Sequence, residues 1–78
     1  MKLTGPQIEA LEAALMDAFR SRGGLARMVR IHLERNLNEI TEGSDLSEVT
    51  FSLIDWAERT GLIGELIEGA YRANSDNA

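Results

Sequence analysis

Residues 45–61 read DLSEVTFSLIDWAERTG, and this stretch carries the signals for both of its own ends. Asp45 is a helix-capping residue, Glu48 stands three positions on as in a capping box, and Gly61 follows as a terminating C′ residue. Between them Leu46, Val49, Leu53, Ile54, Trp56 and Ala57 recur at helical spacing and cover a wide arc. So wide an arc suits the most buried helix of a bundle. Trp56 lies at its edge and reads as a core residue. Phe51 falls well round the helix from Leu46 and Val49, and is the better candidate for an exposed anchor.

Downstream, Leu62, Ile63, Leu66, Ile67, Ala70 and Tyr71 share one side of a further helix, with Glu65, Glu68 and Arg72 on the other. Glu68 precedes Arg72 by four residues, the favourable order for a surface pair. Residues 73–78 read as a frayed tail. Upstream, Thr4 is a good N-cap, Pro6 suits a first turn, and Gln7 completes a capping box. Ile8, Leu11, Leu15, Ala18 and Phe19 then predict a helix from about Pro6 to Phe19. Arg20-Ser21-Arg22-Gly23-Gly24 is expected to break it, because paired glycines make a costly helix interior. Leu25, Met28, Val29, His32 and Leu33 give another apolar face, with Arg27, Arg30 and Glu34 opposite and Ile31 on the flank. Leu37 and Ile40 predict one short turn before a Thr41-Glu42-Gly43 loop. No segment sustains strand alternation. The expected architecture is one all-α domain over residues 1–78, a compact bundle of five to six helices.

Composition bounds function. A chain of 78 residues has room for one core, burying about 60% of its surface on folding. The net charge of −5 opposes approach to nucleic acid or an anionic membrane, and neither is expected as a partner. There is no cysteine, no apolar leader and no apolar run near the roughly 20 residues that span a bilayer. These features fit a cytoplasmic protein.

No chemistry is legible in the residues. A metal site needs converging ligands, and the chain has one histidine and no cysteine. Ser21, Ser44, Ser47 and Ser52 lack a neighbouring base, so nucleophilic catalysis has no support. Glu65 and Glu68 face outward, where desolvation cannot tune them. His32 reads as a partly buried histidine bonded to backbone or carboxylate. No catalytic, cofactor-binding or metal-ligating residue is expected, and the chain reads as no enzyme.

Charge is sorted along the chain. Arg20, Arg22, Arg27, Arg30 and Arg35 fall in one stretch opposed only by Glu34, while the remaining acids of the 13 in the chain lie elsewhere. Arg27, Arg30 and Arg35 are candidates for one side of a protein interface, with Asp55, Glu65 and Glu68 for the other. The alternative is a solvated face, with Arg30 paired to Glu34. Ile31, Phe51 and Tyr71 are marginal apolar positions. Any of them exposed beside charges would mark the contact surface.

Lys2-Leu3-Thr4-Gly5-Pro6-Gln7, Arg27-Met28-Val29-Arg30, Leu37-Asn38-Glu39-Ile40, Leu53-Ile54-Asp55-Trp56-Ala57-Glu58 and the Leu62–Ala70 helix together resemble the first class of bacterial effector-associated domains. The likeness runs in order through nearly the whole chain, on core and cap positions. It implies a death-like helical fold and a small adaptor in bacterial conflict or signalling systems. The implied partners are other effector-associated domains, self or non-self, on peptidase or NTPase proteins, met by like-with-like contact. The double glycine departs from that pattern. These 78 residues hold no effector segment, and an excised domain or a free-standing adaptor is expected. A reading from another class is an acidic, antitoxin-like regulator masking an unlike basic protein.

Overall fold

A computed structural model describes residues 2–75, and every regular element among them is helical. They are α1 (Gly5–Ala18), α2 (Arg22–Met28), which continues as a π-helical turn (Val29–Leu33), α3 (Leu37–Ile40), α4 (Leu46–Thr60) and α5 (Ile63–Ser75). The Cα radius of gyration is 11.2 Å. A single packed domain of this length is expected near 11.5 Å, so the helices share one core.

Local chemistry starts each helix. The Gln7 amide donates to Thr4 Oγ1 while the Thr4 amide donates to Gln7 Oε1, closing the capping box of α1. Asp45 accepts from the Glu48 amide at the head of α4, and Gly61 ends α4 with φ 76°. The Ser21 hydroxyl accepts from the Gly24 amide at the head of α2. The break expected over residues 20–24 does separate α1 from α2, but the glycines do not make it. Gly23 and Gly24 lie inside the first turn of α2, and the chain turns instead at Phe19–Ser21, where Phe19 and Ser21 are extended. First-turn amides have no intrahelical partner anyway, so glycine costs less there and the serine cap offsets part of it.

Leu15, Leu25, Met28, Val29, Leu37, Val49, Leu53, Ile54, Ala57, Ile63 and Leu66 make up the innermost core. Trp56 is half-buried against it, and α4 packs on α1, α3 and α5. The N-terminal segment is tied down where the Leu3 amide donates to Glu58 Oε2 at 2.7 Å.

α5 differs from its expected orientation. Ile67 and Tyr71 are exposed, and the buried stripe runs through Ile63, Leu66, Gly69 and the half-buried Ala70 and Ala73. The reason lies at Gly69. A Cβ there would stand 2.7 Å from His32 Cβ, so only glycine lets α5 lie this close to the π-helical turn. Hydrophobic periodicity gives a glycine no weight, and this contact was therefore invisible in it. Ala73, Asn74 and Ser75, expected in a frayed tail, are helical; the rest of that expectation, residues 76–78, lies outside the described residues.

Candidate interaction surfaces

The arginine-rich segment does not act as one patch. Arg22 is half-buried and turned inward: Nε donates to Gly43 O at 3.0 Å, and one terminal nitrogen donates to Asn38 Oδ1 at 2.6 Å and Thr41 O at 3.5 Å. It latches the head of α2 to the loop before α4. Arg20 pairs with Asp17 at 3.8 Å on the surface. Arg27, Arg30 and Arg35 are exposed.

The Arg30–Glu34 pair of the solvated-face alternative does not form. The π-helical turn ends at Glu34, whose backbone is left-handed with φ 56°, and this takes it off the helical i,i+4 register. Among the described residues the ion pairs are Arg20–Asp17, Arg59–Asp55 and Arg72–Glu68.

The three acidic candidates separate. Glu65 and Glu68 line a small depression of about 180 Å³ together with His32, Gly69 and Arg72. They therefore adjoin the basic segment of their own molecule, and Glu68 is paired with Arg72. Asp55 lies on α4, paired with Arg59 at 3.0 Å, and four residues from Phe51. Phe51 is 52% exposed and Ile31 57%. Glu48, Phe51 and Asp55 share one face of α4 by their spacing, so an exposed ring stands between two carboxylates.

A groove of about 500 Å³ runs where the end of α1, α2 with its π-helical turn, and the end of α5 meet. Phe19, Met28, Ile31 and Ala73 supply most of its apolar lining, and Arg20, Arg27 and His32 its polar one. Ile31 and Arg27, both singled out in the sequence, are brought together here; Arg30, Arg35 and Phe51 are not in the lining. The groove itself was not legible, because its walls come from three separate helices.

A shallower groove of about 190 Å³ between α1 and α5 was also missed. Leu11, Ala18, Ala70 and the exposed Ile67 and Tyr71 line it. The available signal was the Ile67–Tyr71 spacing, two large apolar residues four apart beyond the core stripe.

Among the described residues, no group of three or more histidine, aspartate or glutamate side chains could hold a metal ion. No described helix is long and apolar enough to cross a membrane. Thr50 Oγ1 is the one fully buried side-chain polar atom of the described residues without a hydrogen-bond partner.

A filled helical core with charged, partly apolar surfaces defines a small all-α domain whose distinguishing features lie outside its core. The chain belongs to the Effector-associated domain 1 family, whose model matches residues 1–78. No curated protein and no solved structure matches the chain.

Proposed function

We propose that this domain is a non-catalytic, cytoplasmic adaptor that recruits or oligomerises effectors through contacts with other effector-associated domains. The observation that carries the reading is the exposure of two large apolar residues beside charges of opposite sign. Ile31 lies with Arg27 and Phe51 lies between Glu48 and Asp55. Such anchors ringed by polar groups are the usual energetic centres of protein contacts. Family membership supports the same reading, since the family is named for association with effectors. The effectors are peptidases or NTPases of bacterial conflict or signalling systems, and the bundle is of the death-like kind.

The mechanism is one of effective concentration. Docked domains hold their tethered effectors together, so a bimolecular encounter becomes a local one. Arginines on one face and carboxylates on the other steer association and set its orientation more than they add affinity. The alternative, an acidic regulator masking a basic protein, draws less support, because Asp55 and Glu68 are already paired with Arg59 and Arg72.

The test is light scattering after size exclusion, over a concentration series at low and high salt. Association that fades with salt is expected, since screening shortens to about 3 Å near 1 M. A monomer under all conditions would remove like-with-like contact and leave an unlike partner.

A further inference from the structure

We infer that the groove between α1, the π-helical turn and α5 receives the Phe51 ridge of a second copy of this chain. The inference rests on the like-with-like reading above and assigns its two faces. The groove presents an apolar floor of Phe19, Met28 and Ile31 with the Arg27 guanidinium and the His32 ring beside it. The α4 ridge presents the complement: an aromatic ring half in solvent, with Glu48 three residues before it and Asp55 four after. Phe51 contributes nothing to the core of its own molecule, which α4 fills with Val49, Leu53, Ile54 and Ala57.

Charge selects this acidic face over the other. Glu65 and Glu68 already stand beside His32 in the same molecule, and Glu68 is held by Arg72. Glu48 has no ion-pair partner among the described residues, and Asp55 has only the surface Arg59. A ring entering the groove would bring Glu48 and Asp55 toward Arg27, while Ile31, now exposed, would be covered. Knob and socket lie on different elements, so each copy carries one of each.

That last property supplies the test. Phe51→Ser removes the knob and keeps the socket; Arg27→Glu spoils the socket and keeps the knob. Both residues are exposed, and circular dichroism should show each variant folded; otherwise Phe51→Leu and Arg27→Gln make the same comparison. At concentrations where the unaltered chain associates, each variant alone should be monomeric, its association weakened about tenfold or more. Mixed in equal amounts, they should form a one-to-one complex, with the Phe51 of the Arg27→Glu chain in the intact groove of the other. If the unaltered chain associates but either variant does so equally well, or the mixture stays monomeric, the two faces are assigned wrongly while like-with-like contact stands. A monomeric unaltered chain overturns both.

Discussion

Thr50 is wholly buried in α4 and its hydroxyl has no hydrogen-bond partner. A desolvated, unpaired hydroxyl costs stability that an apolar group of the same shape does not. Thr50→Val keeps the branched shape and should raise stability by about 1 kcal/mol. Thermal unfolding should then show a midpoint higher by about 4–8 °C, and a lower midpoint would mean that the hydroxyl is satisfied in solution. Two glycines of α5 are expected to respond in opposite directions. Gly64 has open space around it but lies in the first turn of α5, where glycine costs less, so Gly64→Ala should stabilise by about 0.5 kcal/mol or less. Gly69→Ala puts a methyl 2.7 Å from His32 Cβ, near two backbones that cannot swing away. The overpacking, about 1–3 kcal/mol, exceeds the propensity gain, and Gly69→Ala should destabilise in urea unfolding. Equal responses from the two variants would refute the close α5 approach.

At the scale of elements, α2 has a weak intrinsic case. It is seven residues long and spends two of them on glycine, so it depends on what holds its head. The Ser21 cap and the Arg22 latch do this, the first within the turn and the second across to Gly43 and Asn38. Ser21→Ala should cost about 1 kcal/mol, measured by denaturant unfolding, whereas a serine without a capping role would change little. The same element shows how far local reading reaches. Ser21 is a recognisable cap, yet the glycine pair was expected to break the chain, because propensity counts a glycine's cost without its position in the turn. The π-helical turn that follows left no sequence signal either. It forms where α2 meets α5, and it moves Glu34 away from Arg30.

At the scale of the molecule, charge sorted along the chain is not charge sorted in space. Folding turns Arg22 inward, pairs Arg20 with Asp17, and lays Glu65 and Glu68 beside His32. What remains exposed for a partner is Arg27 beside Ile31, with Arg30 and Arg35 outside that groove, and Glu48 and Asp55 around Phe51. Arg27→Glu combined with Arg30→Glu should therefore weaken association in low salt while leaving the unfolding midpoint nearly unchanged, since both side chains are exposed. Association that survives the double reversal would make the arginines a solvated face and nothing more.

The amino-acid sequence by itself determined the all-helical class, the starts of α1 and α4, the end of α4, the α3 turn, and nearly all of the buried positions on α4. Each of these depends on residues within a few positions of one another: a cap and its third amide, a glycine at a left-handed turn, an apolar repeat matching the helical period. Only the tertiary structure decided the rotation of α5, the fate of each arginine, the separation of Asp55 from Glu65 and Glu68, and the groove beside Ile31. Those depend on which backbones approach closely enough to exclude a side chain, as Gly69 and His32 do. Contacts between distant segments of that kind carry no periodicity, so the chain order alone does not display them.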